Sequence, residues 1–258
     1  SSYSLIINPS GTSTNTGTLQ ATGGASLQLL NRTYTNTGGT ILATGAGSTV
    51  FLVGATITGG NLTTASSGVI ATAGGNTGML DGITLTSGSA FVGQSGSTTY
   101  LGHTITNQGT MTIASANRNT LFSLNSSSVT LTGNGSLVLG PGDSGTRSRI
   151  SSADAAYTLV NDTSHTIRGA GYIGENNLIL TNRGTITADN SSYSLIINPS
   201  GTSTNTGTMQ ATGGATLQLW NRTYTNSGTI LATGAGSTVF LVGATITGGN
   251  LTTASSGV

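Results

Sequence analysis

The sequence predicts an all-β chain folded as a parallel, right-handed β-helix, a β-solenoid with coils of about 20–25 residues. Three observations predict this fold: short runs of alternating apolar and polar residues, a recurring frame of breaks at Gly and Asn, and a long internal duplication. Alternation with a period of two is typical of strands, and no segment has a convincing helical period. The right-handedness follows from the general rule for parallel crossover connections.

The composition excludes several classes of protein. The 258 residues include 41 Gly and no Cys, with 34% apolar residues, 5% charged residues and a net charge of +1. Disorder usually combines low hydrophobicity with high net charge, so a folded chain is expected. A charge so near zero predicts no nucleic-acid partner, and apolar runs of only a few residues predict no membrane insertion. A secretion signal, if the protein has one, is expected outside this sequence.

Residues 1–69 recur as residues 191–258 with one Gly fewer and four substitutions. The substitutions are Leu19 to Met209, Ser26 to Thr216, Leu30 to Trp220 and Thr37 to Ser227. We therefore predict one continuous solenoid over 1–258, with a unit of about 190 residues over 1–190 and a partial second copy over 191–258. The close similarity of the two copies suggests a longer protein that contains several such units in tandem. At about 4.8 Å per coil, a unit of roughly nine coils would rise about 43 Å, and the whole chain about 60 Å.

A finer repeat lies inside this unit. Segments that begin at Leu27, Val50, Met79 and Thr99 share an apolar pair, a T-x-T triplet, a break at Gly or Asn, and a second short strand. Each segment has the length of one coil of a β-helix, in which every coil stacks on its neighbour.

Stacking also explains the unusual composition. A charge repeated from coil to coil would form a like-charge ladder, whereas Asn, Thr and Ser can form hydrogen bonds along it. Glycines suit corners that need a positive φ. Asn31, Asn36, Asn107 and Asn182 lie at similar breaks, and Asn tolerates the left-handed conformation there.

Residues 140–162 break the frame. They include Pro141, Arg147, Arg149 and three of the six acidic residues. We predict a lateral loop over 140–162 that could supply a specific contact through Arg147 and Arg149. The alternative is an irregular coil with a solvated turn and no partner.

The T-x-T triplets are candidates for a contact surface. Each pair of Thr residues should point outward about 7 Å apart, and stacking would produce Thr ladders on a flat face. This arrangement resembles the ice-binding face of solenoid antifreeze proteins. The alternative is that Thr is simply favoured at outward strand positions, and the uneven spacing of the first five triplets along the chain favours that alternative. The candidate residues are Thr33, Thr35, Thr56, Thr58, Thr84, Thr86, Thr104 and Thr106.

Trp220 is a further candidate contact residue. It replaces Leu30 of the first copy. If Leu27 and Leu29 point inward, alternation places position 30 outward or at a corner. A Trp there suggests a lateral interface.

The residues that could support catalysis are dispersed. The six acidic residues are scattered, and His103 and His165 lie about three coils apart. Enzymes built on β-helices need clustered acidic or basic residues on one face. The sequence therefore predicts no catalytic residues, no metal site and no cofactor, and we expect that the chain is not an enzyme.

Two passages resemble the repeats of large bacterial surface proteins of the autotransporter and filamentous-haemagglutinin type: NDTSHTIRGAGYIGENNLILTNRGTITADN from Asn161, and NTGTMQATGGATLQLWNRTYTNSGTILATGAGSTVFLVGATITGGNLTT from Asn205. In those families such passages form a secreted β-helical passenger that acts as an adhesin or stalk. The resemblance implies an extracellular, secreted or cell-surface filament or adhesin of bacterial type.

The predicted function is that of a structural or adhesive repeat protein, acting by rigid reach and by contacts with itself or with a surface. The expected partners are other copies of the chain, end to end or laterally, and a glycan or protein of a host or neighbouring cell. The alternative function is a ligand-binding solenoid face, for ice or glycan, built on the T-x-T ladders.

Overall fold

The computed structural model describes residues 4–258 and contains 34 strands and no helix in that range. No helix that is long and apolar enough to cross a membrane is therefore found in these residues. Residues 1–3, the start of the duplicated segment, lie outside the described residues. The strands are β1 (Ser4–Ile7), β2 (Ser13–Thr14), β3 (Thr18–Thr22), β4 (Ser26–Leu30), β5 (Thr33–Thr35), β6 (Thr40–Thr44), β7 (Thr49–Val53), β8 (Ala55–Thr58), β9 (Asn61–Ala65), β10 (Val69–Thr72), β11 (Thr77–Asp81), β12 (Thr84–Leu85), β13 (Ala90–Gly93), β14 (Thr98–Gly102), β15 (Thr104–Asn107), β16 (Thr110–Ala114), β17 (Thr120–Leu124), β18 (Ser128–Thr132), β19 (Ser136–Gly140), β20 (Ser148–Ser152), β21 (Thr158–Asn161), β22 (Thr166–Gly169), β23 (Gly171–Ile173), β24 (Ile179–Asn182), β25 (Thr185–Ala188), β26 (Leu195–Ile197), β27 (Ser203–Asn205), β28 (Thr208–Thr212), β29 (Thr216–Trp220), β30 (Thr223–Asn226), β31 (Thr229–Thr233), β32 (Thr238–Val242), β33 (Thr245–Thr247) and β34 (Asn250–Ala254).

Every third strand joins the same sheet, so three parallel sheets run along the rod. Sheet A contains 12 strands, from β1 to β34; sheet B contains 11, from β2 to β32; and sheet C contains 11, from β3 to β33. Each coil contributes one strand to each sheet, which gives about 11 coils. The predicted all-β parallel solenoid is confirmed.

The length of a coil varies along the rod. In sheet A, Leu27 pairs with Val50, and Val50 pairs with Ile70, so the second of these two coils is shorter than the first. A much longer coil joins Leu137 to its partner Ile167. Because the strands keep their register, the extra residues are accommodated in the connections between sheets.

The segment 140–162, predicted as a single lateral loop, is divided in the structure. Strand β20 occupies Ser148–Ser152 within it, in register with β17 and β23, and Ile150 is fully buried. The connections on either side of β20, residues 141–147 and 153–157, and the last residue, Asp162, lie outside the sheets. The apolar side chain of Ile150 keeps this part of the segment in the core.

Inward side chains form a continuous apolar core. Leu29, Leu52 and Leu62 are fully buried, and Phe91 packs on Phe122 with 6.1 Å between ring centroids. Burying a Leu or Phe side chain contributes roughly 1.5–3 kcal/mol. Since each coil covers the apolar residues of its neighbour, the core has no boundary within the stack.

Buried asparagines form a second, polar column at the corner between sheets C and A. The Nδ2 of Asn161 donates to Oδ1 of Asn182, Asn182 donates to Asn205, and Asn205 donates to Asn226, each over 2.7 Å. Each of these donating side chains also donates to a backbone carbonyl of the next coil, as Asn182 does to Thr208. Buried amides need such partners, and a ladder of identical amides supplies both a donor and an acceptor at every step.

His165 continues this ladder. Its Nδ1–H donates to Oδ1 of Asn161 over 2.7 Å, and its Nε2 accepts from Nδ2 of Asn107 over 3.1 Å. This pattern requires the neutral imidazole. Burial lowers the pKa of His165 to about 4.

The four asparagines at these breaks differ in backbone conformation. Asn31 has a φ of 50°, whereas Asn36, Asn107 and Asn182 do not adopt a positive φ. The side chains of these three are buried and form hydrogen bonds at corners. The inward hydrogen bonds of the amide, rather than tolerance of an unusual backbone, explain why Asn occurs at these three corners.

The two copies of the duplicated segment occupy different sheets. Strands β4, β5 and β6 lie in sheets A, B and C, and the equivalent strands β29, β30 and β31 lie in sheets B, C and A. The unit that was predicted to contain about nine coils consists of β1–β25, which is eight coils and one further strand.

Candidate functional site

The T-x-T triplets point outward, as the alternation predicts. In β5, Tyr34 is buried between the half-buried Thr33 and Thr35, and in β8 Ile57 is buried between Thr56 and Thr58. Thr33 pairs with Thr56, and Thr35 pairs with Thr58. These two coils therefore form short Thr columns on sheet B.

The Thr columns do not continue on that sheet. In the next coil, the residues aligned with Thr56 and Thr58 are Met79 and Asp81. Thr84 and Thr86 belong to the sheet C side of the rod, where Thr84 pairs with Thr106. The later triplets lie on sheet C as well, except Thr185/Thr187, which lie on sheet A: Thr104/Thr106, Thr130/Thr132, Thr185/Thr187, Thr223/Thr225 and Thr245/Thr247. The triplets therefore do not form one flat Thr face.

Sheet B instead holds a lateral cluster of aromatic and basic side chains, which we call the aromatic–arginine cluster: Arg149, Tyr172, Glu175, Gln218 and Trp220. The guanidinium of Arg149 lies 5.7 Å from the ring centroid of Tyr172, and the Tyr172 and Trp220 rings meet edge to face at 6.3 Å. Both contacts have the geometry of favourable cation–π and aromatic pairs.

Polar contacts hold the cluster in place. Arg149 forms an ion pair with Glu175, and the indole Nε1 of Trp220 donates to Oε1 of Gln218 over 2.8 Å. Burial raises the pKa of Glu175, and the neighbouring Arg149 opposes that rise. The cluster thus combines an apolar ring surface with fixed hydrogen-bonding groups.

The strand register explains why these residues meet. In sheet B, Arg149 pairs with Tyr172, Tyr172 with Ile196, and Ile196 with Gln218. All four share one side of their strands, so they form a single column across four coils. Trp220 lies two residues beyond Gln218 on the same side of β29.

The predicted contact residues Trp220, Arg149 and Arg147 do not all lie together. Trp220 is outward and half-buried, and it lies in the same cluster as Arg149. Arg147 lies in the connection before β20 and forms an ion pair with Asp143, four residues earlier in the chain. Tyr172 and Glu175 were not among the predicted site residues, because only the folded stack places them beside Arg149.

The charged residues are mostly paired between neighbouring coils. Arg168 contacts Asp189 over 2.9 Å, and Arg183 contacts Asp162 over 3.4 Å. His103 contacts Asp81 across one coil, and this carboxylate raises the pKa of the exposed imidazole. Opposite charges on adjacent coils avoid the like-charge ladder that stacking would otherwise create.

The final coil has a concave apolar surface, which we call the end surface. It is lined by Val239, Leu241 and Leu251, together with Ala232, Thr252, Thr253 and Val258. Leu241 is 45% exposed and Leu251 is 59% exposed. Their counterparts in the first copy, Leu52 and Leu62, are fully buried by the following coil.

No match to this chain was found among protein-family models, curated proteins or solved structures. Among residues 4–258, no group of three or more His, Cys, Asp and Glu side chains is arranged to hold a metal ion.

Proposed function

We propose that this chain is an extracellular structural and adhesive rod that acts by rigid reach and by contacts with other copies of itself or with a cell surface. The observation that carries this proposal is the uninterrupted stack of about 11 coils around one apolar core, which gives a rod with a repeated lateral surface. The resemblance of its repeats to bacterial surface proteins supports a secreted or cell-surface location. The paired carboxylates support a non-enzymatic role.

The end surface fits one further coil of the same repeat. In the first copy, Val50 and Leu52 of β7 pair with Ile70 and Thr72 of β10. The equivalent strand β32 of the second copy offers the same residues to a parallel strand, and Val258 is bonded only to its start. A further coil, in the same chain or from another copy, would complete both the hydrogen bonds and the apolar packing.

Sedimentation and electron microscopy of purified residues 1–258 test whether this surface accepts a coil from another copy. We expect concentration-dependent rods longer than about 53 Å, the rise of about 11 coils at the usual strand spacing. The variant Leu241→Glu/Leu251→Glu should remain folded, because both positions are exposed, and should remain monomeric, because stacking would bury two charges. Thr247→Glu, an exposed lateral position of the final coil, is the matched control and should still associate.

A species that is monomeric at all concentrations would contradict end-to-end association. Association that persists in the double Glu variant would instead place the contact elsewhere on the rod.

A second proposal concerns a glycan at the aromatic–arginine cluster. Sugar rings stack on exposed aromatic faces, and Arg149, Glu175 and Gln218 would supply hydrogen bonds to hydroxyl groups. We do not propose ice as the ligand, since the Thr triplets fall on three different sheets.

Binding to a panel of immobilised glycans tests this second proposal. Trp220→Leu is a natural control, because the first copy has Leu at the equivalent position 30. We expect at least one glycan to bind the parent chain and binding to fall about tenfold or more in Trp220→Leu, which corresponds to about 1.4 kcal/mol. Equal binding by both chains would overturn the assignment of the cluster.

A further inference from the structure

We propose that strand β10 is a phase-shifting strand, which turns each copy of the duplicated unit by one third of a turn about the rod axis relative to the copy before it. A surface encoded once in the unit would thus appear on sheets A, B and C in succession. The rotation stands apart from the proposed adhesive role; only the use of the rotated surfaces for contacts rests on it.

The strand count provides the first argument. Strand β26 begins the second copy and is equivalent to β1, so the unit contains 25 strands. Three strands complete a coil, and 25 strands make eight coils and one strand over. The equivalent strands β1 and β26 therefore lie in sheets A and B.

The local structure of the two copies is nevertheless the same. Tyr34 Oη donates to the carbonyl of Ile7 over 2.8 Å, and Tyr224 Oη donates to that of Ile197 over 2.9 Å. The backbone N–H of Gly24 donates to a Ser Oγ over 2.9 Å, and so does that of its counterpart. The sequence thus specifies strands and corners, while the number of preceding strands specifies the sheet.

The recurring frame of the coils identifies the additional strand. Each coil begins with a strand, followed by a short corner, a second strand with outward Thr residues, a break at Gly or Asn, and a third strand. This frame describes β4–β6, β7–β9, β11–β13 and β14–β16. Only β10, with the Gly-rich corner 73–76, lies between two complete frames in this region. It also explains why Thr56 and Thr84 are further apart in the chain than the preceding triplets, Thr33 and Thr56.

Strand β10 is an integral part of the rod. It pairs with β7 on one side and with β13 on the other. Ile70 points into the core, and the buried Thr72 Oγ1 lies 2.7 Å from Oγ1 of Thr99. Because β10 is bonded along both edges and packs into the core, it occupies one full place in sheet A.

As a consequence, equivalent lateral surfaces of successive copies point in three directions around the rod. Gln28 and Leu30 lie on sheet A, and their counterparts Gln218 and Trp220 lie on sheet B. A third copy would place the same positions on sheet C, and three units of 25 strands make 25 complete coils. The pattern would repeat after about 120 Å, so partners of one lateral surface would surround the rod instead of lining one side of it.

Engineered disulfides test the phase shift within a single molecule. The chain has no Cys, so a pair of introduced cysteines has no competing thiol. Thr56 and Met79 are outward partners on adjacent strands, so Thr56→Cys/Met79→Cys should form a disulfide in most molecules. Thr56→Cys/Thr84→Cys should not, because the two positions lie on different sheets. The reverse result would mean that β10 is not counted in the stack and would overturn the proposal.

Deletion of residues 69–76 provides the complementary test. Without β10 the unit has eight complete coils, and Thr56 and Thr84 should become neighbours on sheet B. In this background Thr56→Cys/Thr84→Cys should form the disulfide and Thr56→Cys/Met79→Cys should lose it. If the deletion variant does not fold, the two pairs in the full chain decide the question. Both readouts are intramolecular, so failure of the chain to form fibres would leave them unaffected.

Discussion

Leu52 and Leu241 are the same residue of the duplicated segment, yet Leu52 is fully buried and Leu241 is 45% exposed. The hydrogen bonds of Tyr34 and Tyr224 show that the two copies nonetheless fold alike. Local structure is therefore independent of position in the rod, whereas burial depends on the neighbouring coils. This is the behaviour of a stack in which each repeat contacts only its neighbours.

The two copies also differ in the direction in which equivalent side chains point from the rod. The side chain of residue 30 points from sheet A and that of residue 220 from sheet B. On sheet B, Trp220 meets Tyr172, two strands away. The substitution of Leu by Trp thus occurs where the second copy has a lateral aromatic neighbour.

The largest expected difference between the copies concerns Leu52 and Leu241. Leu52→Ala should lower the free energy of unfolding by about 2–5 kcal/mol, because it leaves a cavity in the core. Leu241→Ala should cost less than about 1 kcal/mol, since the side chain is already half exposed. Urea unfolding of the monomeric chain followed by circular dichroism measures both. Equal losses would mean that the final coil is covered in solution.

The asparagine ladder that reaches into the second copy should be sensitive to acid through His165. Its pKa is about 4 in the folded chain and about 6.5 when unfolded, so the folded state binds fewer protons between these values. The free energy of unfolding should therefore be fully retained above pH 6.5 and fall by about 3 kcal/mol as the pH decreases to about 4.

His165→Gln keeps a donor and an acceptor without a titrating group in this range. Its unfolding free energy should depend much less on pH between 6.5 and 4, as measured by urea titrations at several pH values. A slope equal to that of the parent chain would exclude His165 as the source.

The corner asparagines give a smaller contrast between the copies. Asn205 is fully buried and bonded to Asn182 and Asn226, whereas its counterpart Asn15 lies at the first coil, is less buried and is bonded to Asn36. Asn205→Ala should cost about 1–3 kcal/mol, because the amide of Asn182 loses its acceptor. Asn15→Ala should cost less than about 1 kcal/mol, because its amide can exchange its partners for water. Thermal unfolding of both variants measures the difference, and equal losses would contradict it.

The smallest expected effect on stability is that of Trp220→Leu, which makes the second copy match the first at this position. The edge contact with Tyr172 contributes about 0.5–1.5 kcal/mol, and Leu keeps part of the apolar contact. The double variant Trp220→Leu/Tyr172→Ala should therefore lose less stability than the sum of the two single variants, by up to this coupling. A coupling near zero in urea unfolding would mean that the rings do not interact.

The alternating pattern predicts much of this fold. Runs such as TVFLV at Thr49–Val53 specify a strand with one buried side, and the break at Gly54 specifies a corner with a φ of 70°. The duplication implied that equivalent residues fold alike, as Tyr34 and Tyr224 do. These features are local, so neighbouring residues suffice to encode them.

The contents of each face were decided only by the tertiary structure. Arg149, Tyr172 and Gln218 are far apart in the chain and meet because every third strand joins the same sheet. One additional strand moves every later residue to the next sheet, as β10 does to the second copy. Likewise, Asn36 and Asn107 resemble corner residues in the sequence, and only the stack reveals that their amides point inward.

Side-chain alternation and the backbone preferences of Gly thus predict the strands, the corners and the parallel stacking. Which residues share a face depends instead on the number of strands that separate them in the chain, and this is visible only in the folded stack. The physical reason is that the sheets join every third strand regardless of sequence similarity, so identical segments take up different directions around one axis.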